Sequence, residues 1–164
     1  MHRVMELIDY TYEGVFDESV LDAQIDGAIK RNAIKQSEYE LVDKRKVVEF
    51  VSSDIGKRMS KAALNGKLYK EKPFVLGISA DRLNSAFPDS ETVLIQGIID
   101  VFFIEDDHII LLDYKTDSVR SEEELIKRYK TQLDYYEEAL CRILDKEVTE
   151  RLLYSFALQK TISC

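Results

Sequence analysis

The chain has 164 residues, 45% hydrophobic and 33% charged, with only 6 Gly and 2 Pro. That is one domain's worth of sequence, long enough to bury a core unaided, and it excludes collagen-like and low-complexity chains. Its 23 basic and 31 acidic residues leave a formal charge of −8. Such a balance argues against a surface that coats nucleic acid by positive charge, though not against an acidic metal site acting on nucleic acid held by something else.

Cys141 and Cys164 are the two cysteines; they make no disulfide framework and no zinc or iron–sulfur spacing, and fit a reducing, cytoplasmic setting. The opening Met1–Asp9 mixes charges among its apolar residues and has no secretory signal. No uncharged apolar stretch reaches the ~18 residues that a membrane helix needs. Gly56-Lys57 and Gly66-Lys67 both lack the first glycine of a phosphate-binding loop, so ATP-driven work is not expected of this piece.

The first two-fifths of the chain predicts helices. Val4, Leu7 and Ile8 recur at helical spacing, with Gly14 closing that segment. Ser19 is the candidate N-cap of a second helix with Val20, Leu21, Ile25, Ala28 and Ile29 on one side. Leu41, Val42, Val47, Val48 and Val51 mark a third. Asp54 is placed to cap a short fourth that ends at Asn65-Gly66.

The period then shifts from 3.6 towards 2. Pro73–Ser79 reads as a strand, and residues 80–90 as a polar loop. Val93–Ile104 and Ile109–Tyr114 are apolar and β-branched around Glu105-Asp106-Asp107-His108, a hairpin signal. Both faces of these strands are apolar, which predicts a place in mid-sheet with helices on each side. Ser121-Glu-Glu-Glu124 is a capping box for a helix running to about Leu144, and a last strand is expected around Leu152–Leu158. Four helices, three strands, a helix and a strand make an α+β chain with no visible linker or repeat.

Asp113-Tyr114-Lys115 draws attention. On a strand, residues i and i+2 point the same way, so Asp113 and Lys115 share a face. With a two-residue loop at Asp106-Asp107, Glu105 pairs with His108 and Asp100 falls opposite Asp113. Directly opposed Cβ atoms lie ~4.5–5.5 Å apart. Carboxylates so placed repel, and a divalent cation or a shared proton relieves the repulsion. The competing reading is a structural Asp113–Lys115 ion pair with Asp100 a solvated edge residue. His108 lies in the turn, at the far end of the hairpin from Asp100 and Asp113, and is set aside as a ligand.

Gln96-Gly-Ile-Ile-Asp100, Asp113-Tyr-Lys-Thr-Asp117 and Gln132-Leu-Asp-Tyr-Tyr136 together resemble the RecB-family nucleases of the PD-(D/E)XK superfamily. Within that family the resemblance is to the C-terminal nuclease domain of AddA-type helicase–nucleases. Met1–Leu7 resembles that domain's opening helix, which carries a histidine, and Lys70-Glu-Lys-Pro-Phe74 resembles the strand before the hairpin. The match is weakest between residues 14 and 66, and Ile99 stands where the superfamily's name has a proline.

The resemblance implies a restriction-endonuclease-like (PD-(D/E)XK) core: a central mixed sheet flanked by helices, in a single nuclease domain. A helical segment 1–66 would precede a sheet core 67–164, the whole excised from a larger helicase–nuclease. It implies metal ligation by Asp100, Asp113, the backbone carbonyl of Tyr114 and His2. Mg²⁺ is then the expected ion, with Mn²⁺ tolerated because of the histidine. Taken alone, a histidine at position 2 reads as a frayed, exposed terminus. Lys115 would orient the attacking water, help deprotonate it and offset phosphate charge; Gln132, Tyr136 and Thr116 would contact substrate; Glu71 would support the site from behind. As residues alone, Tyr129, Tyr136, Leu140 and Ile143 are equally the core stripe of an amphipathic helix. Lys127, Arg128 and Lys130 offer a local basic patch, or simply a solvated helix face.

The implied function is a metal-dependent DNA exonuclease in an AddAB/RecBCD-type machine, hydrolysing phosphodiester bonds during double-strand break repair by recombination. The implied partners are DNA, the helicase portion of the same polypeptide and an AddB-like subunit. AddB-like nuclease domains carry a four-cysteine iron–sulfur cluster, and two cysteines do not make one. The rivals are a stand-alone nuclease of phage or defence type and a catalytically inactive docking domain.

Overall fold

Local chemistry places the helix boundaries in the computed structural model, which describes residues 1–164. The Asp17 carboxylate accepts from the Val20 N–H at 3.0 Å and from the Ser19 hydroxyl at 2.6 Å. Helix α2 (Glu18–Lys30) therefore starts on Asp17, and Ser19 lies inside its first turn. The aspartate wins because its carboxylate both caps and opposes the positive helix end. Ser53 in the same way caps α5 (Asp54–Leu64), accepting from the Gly56 N–H, so Asp54 opens the helix rather than capping it. Gly66, at φ +67°, closes α5 as expected.

Helix α1 (His2–Leu7) stops well before Gly14, at Ile8, whose ψ of 132° is extended. Between α2 and α4 (Lys44–Ser52) stands α3 (Gln36–Tyr39). Leu41 is 87% exposed in the turn after it, so the expected third helix begins three residues later than its apolar run. Ser121 caps α6 (Glu122–Leu144), accepting from the Glu124 N–H at 3.3 Å. The Glu124 carboxylate reaches back to the Arg120 N–H instead of closing the box on Ser121.

The strands are β1 (Leu68–Ser79), β2 (Thr92–Glu105), β3 (His108–Lys115), β4 (Val148–Ser155) and β5 (Lys160–Ser163). They form one mixed sheet in the order β1-β2-β3-β4-β5, with β3 and β4 parallel and all other neighbours antiparallel. β1 begins five residues before Pro73, through the charged run Lys70-Glu71-Lys72 that hides it from a hydrophobic count. Its proline is tolerated because β1 is an edge strand. The short β5, with Ile162 its only buried residue, carries too little pattern to be expected.

Asp106 and Asp107, at φ +47° and +67°, make the two-residue turn, and the register runs from Glu105↔His108 to Val101↔Leu112 as the sequence predicts. One sheet face packs α1, α2, α4 and α5, with Val101, Phe103, Ile110, Leu112 and Tyr114 in that core. The other face packs α6 through Ile99, Phe102, Ile109 and Leu111. No helix is long and apolar enough to cross a membrane.

Two irregularities meet at one point. The β2–β3 ladder ends at Val101↔Leu112, while β3 continues beside β4 as far as Lys115↔Ser155 and β2 continues beside β1 as far as Thr92↔Ser79. The sheet thus forks just where Asp100 and Asp113 follow. In the β1–β2 ladder, Lys70↔Val101 and Lys72↔Ile99 flank an unpaired Glu71 and Asp100, with Glu71 at φ +48°. Inward-facing residues swap sides across that gap. Leu68, Val101 and Phe103 face the first core, whereas Phe74 and Ile99 face the second. The ribbon rolls over at Asp100.

Candidate active site

The fork gathers residues from five elements, α1, β1, β2, β3 and α6. Asp100 Oδ2 accepts from the Tyr114 N–H at 2.9 Å, so a strand amide just past the ladder's end is held by a side chain instead. Asp113 is 1% exposed, and its carboxyl is pushed up to about 6, first by burial and then by the Asp100 carboxylate, with Lys115 opposing. Its Oδ2 lies 2.5 Å from Lys115 Nζ, yet it is left buried without an aligned hydrogen bond. The contact is thus an ion pair in distance but not in hydrogen-bond direction.

Lys115 is 8% exposed and held on three sides. Besides Asp113, its Nζ donates to Gln132 Oε1 at 3.1 Å and stands 3.8 Å from the centroid of the Tyr129 ring. An ammonium only donates, which fixes the Gln132 amide with its oxygen towards Lys115. The amide nitrogen then contacts the Tyr136 hydroxyl at 2.5 Å and reaches Asp113 Oδ1 at 3.5 Å. Tyr136 in turn donates to the carbonyl of Ile98 at 2.9 Å, on β2 beyond the end of β3. Its ring packs edge-on against Phe74.

Six further sequence candidates fall as follows. His2 is brought in, with Nδ1 3.7 Å from Asp100 Oδ1, while α1 is seated by the buried Val4 and Met5. Glu71 faces Asp100 across the unpaired step, and its carboxyl is raised by burial and then by Asp100. Thr116 is exposed one residue past β3. Tyr136 belongs to the core around α6, and its one polar atom is engaged with Gln132 and Ile98. Its ring is buried beside Phe74, in the core stripe that the sequence offered as the alternative to a substrate contact. Arg128 and Lys130 are paired with Glu124 and Asp134 on their own helix, which agrees with the solvated face that the sequence offered beside a basic patch.

One side chain carries more than the sequence indicated. The Tyr129 ring faces the Lys115 ammonium, and its hydroxyl donates to Asp117 at 2.7 Å. The available signal was spacing: Tyr129 precedes Gln132 by three residues and so shares its helix face. Asp100, Asp113 and His2 approach the fork without converging into a group of three that holds a metal as it stands. The donors nevertheless suit a hard divalent cation. Two of them are carboxylates, and one carboxylate oxygen is buried and lacks an aligned hydrogen bond, while His2 adds an imidazole nitrogen.

Residues 1–162 match the family profile described as the PD-(D/E)XK nuclease superfamily. The chain belongs to that superfamily. Among curated relatives it is similar to an ATP-dependent helicase/nuclease of Clostridium botulinum, at 41% identity over 99% of this chain and 13% of that protein. The Clostridium perfringens helicase/nuclease is 38% identical over 98% of this chain and 13% of its own length. That of Lachnoclostridium phytofermentans is 33% identical over 98% of this chain and 14% of its length. The chain thus matches the nuclease part of proteins in which it spans about an eighth of the length. Of the PD-(D/E)XK signature, Asp100 and Asp113-Tyr114-Lys115 are the residues the fork brings together.

Proposed function

We propose that this chain is a metal-dependent DNA exonuclease domain that hydrolyses phosphodiester bonds. It would work with a helicase portion and an AddB-like subunit in cytoplasmic double-strand break repair by recombination. The observation that supports this most is the buried Asp113 at the fork. Its carboxylate sits under the influence of Asp100, with one oxygen 2.5 Å from Lys115 Nζ and lacking an aligned hydrogen bond. Burying such a group is costly unless it is used.

Asp100, Asp113, His2 and the Tyr114 carbonyl would hold the ion, Mg²⁺ or Mn²⁺. When bound, such an ion polarises a phosphate oxygen and acidifies a water. Lys115 holds a positive charge where the phosphate gains negative charge as water oxygen joins phosphorus and the bond to the 3′ oxygen breaks. Gln132 keeps the Lys115 ammonium aimed, and Tyr136 holds Gln132. Glu71 supports Asp100, and Thr116 at the rim faces the incoming strand. Residues 1–164 act as one nuclease unit, and the −8 charge suits a domain fed its substrate by a motor rather than one that grips DNA alone.

Asp113→Ala and Lys115→Ala should each lower Mg²⁺-dependent DNA degradation by at least about a hundredfold while circular dichroism stays native. Wild-type-like rates in either variant would remove these roles. A defined cleavage sequence would favour the stand-alone rival, and a wild-type chain without any nuclease activity the docking domain.

A further inference from the structure

We propose that Lys70 is a positioning residue for His2, clamping α1 so that the imidazole stays at Asp100; the proposal rests on the metal-site reading above. Helix α1 has six residues, and Met1 at its N-cap makes no side-chain cap bond. A helix that short does not hold itself, and its last carbonyls lack partners along the helix. Lys70 supplies them. Its Nζ donates to the carbonyls of Glu6 at 2.5 Å and Ile8 at 2.6 Å, over the Tyr10 ring at 5.1 Å. A cation there also complements the negative helix end.

The origin of that side chain matters as much as its reach. Lys70 is the last paired residue of β1 before the roll at Glu71, and its partner across the ladder is Val101, the neighbour of Asp100. The clamp and the carboxylate therefore ride on one short stretch of two-stranded ribbon. At the other end of α1, ~1.5 Å per residue away, His2 faces Asp100 at 3.7 Å. Buried Val4 and Met5 set how deeply α1 sits, but apolar contacts have no direction. The directional tethers are Arg3 Nε, which donates to the Ala33 carbonyl at 2.8 Å near the start of the helix, and Lys70, which holds the carbonyls at its end and so sets its swing there. The same residue makes the roll useful: beyond Glu71, the side chains swap faces, so a lysine two positions later could not reach α1.

Simple Coulomb attraction and a clamp make opposite forecasts. Removing a positive charge near an acidic site should tighten Mn²⁺ binding; removing the clamp should loosen it. Lys70→Met keeps the aliphatic stem and deletes the donors. In Mn²⁺ titrations of the 164-residue chain, followed by calorimetry or by loss of the free-ion EPR signal, it should weaken binding about tenfold, the low end for losing a group that orients a ligand. His2→Ala should weaken binding comparably, and the double variant no more than His2→Ala alone. Unchanged or tighter Mn²⁺ binding by Lys70→Met, or losses that multiply in the double variant, would overturn the clamp. If Lys70→Met does not fold, Lys70→Arg should bind Mn²⁺ like wild type and Lys70→Gln should not; equal affinity of those two overturns the proposal. Failure of the metal-site reading looks different: the wild type itself would bind no Mn²⁺, or Asp113→Ala would bind as well as the wild type, and the clamp would fall with it.

Discussion

Asp113 is a carboxylate that folding puts at a disadvantage. With its carboxyl pushed up to about 6 by burial and by Asp100, the folded form holds a proton more tightly than the unfolded chain does. Its contribution to stability is therefore full below the ordinary aspartate range, ~3.9, and is lost as pH rises through 6. The metal-free protein should melt at progressively lower temperature from about pH 4 to pH 6 on this account. Asp113→Asn should flatten that slope in circular-dichroism melts across the range, and an unchanged slope would assign it elsewhere. Lys115 answers to a different neighbour. Tyr129→Leu removes the ring face under its ammonium and should cost about 2- to 30-fold in kcat, whereas Tyr129→Phe should keep most of it; equal losses would place the effect in the Asp117 hydrogen bond instead. The pairing of Asp113 with Lys115 was legible, since strand period alone puts i and i+2 on one face. The burial of Tyr136 was not, because Gln132 and Tyr136 share a helix face whether that face meets substrate or core.

At the scale of elements, boundaries slipped by one or two residues where two capping side chains stand close together in the chain. Asp17 and Ser19, or Ser53 and Asp54, are both chemically able to cap, and only the path of the chain decides between them. Asp17→Ala should cost about 1 kcal/mol in denaturant titrations, while Ser19→Ala should cost little. The α4–α5 junction is more demanding. A Cβ on Gly56 would stand 2.3 Å from the Phe50 carbonyl oxygen and 2.4 Å from that of Val51, and neither backbone atom can step aside. Gly56→Ala should therefore destabilise the fold by about 2 kcal/mol or more, and a near-neutral result would mean that the junction opens readily. The hairpin was the most legible element, because two aspartates between apolar runs permit only a tight turn and the turn then dictates the register.

For the whole molecule, cation binding at the fork should appear as stability. At an Mn²⁺ concentration a hundred times its dissociation constant, linkage adds about 2.7 kcal/mol. For a chain of this size that is a rise in melting temperature of about 5–10 °C, absent in Asp113→Ala. An unshifted wild-type melt would speak for a vestigial site. The family is shared with far longer helicase/nuclease proteins, and a domain of net charge −8 should bind free DNA weakly, with affinity that falls further as salt rises.

Composition, periodicity and motif spacing determined by themselves that this is an α+β chain with a buried hairpin, and that Asp100, Asp113 and Lys115 belong together. These are consequences of covalent order: strand period and turn length relate residues close in sequence. Only the tertiary structure decided that the sheet forks at Asp100 and that the ribbon rolls at Glu71, and it seats α1 so that His2, implied by the family resemblance and by no pattern of its own, lies by Asp100. Each of these depends on which strand runs out first and what packs against the gap. Such contacts join residues up to about a hundred positions apart, and no local pattern in the chain encodes them.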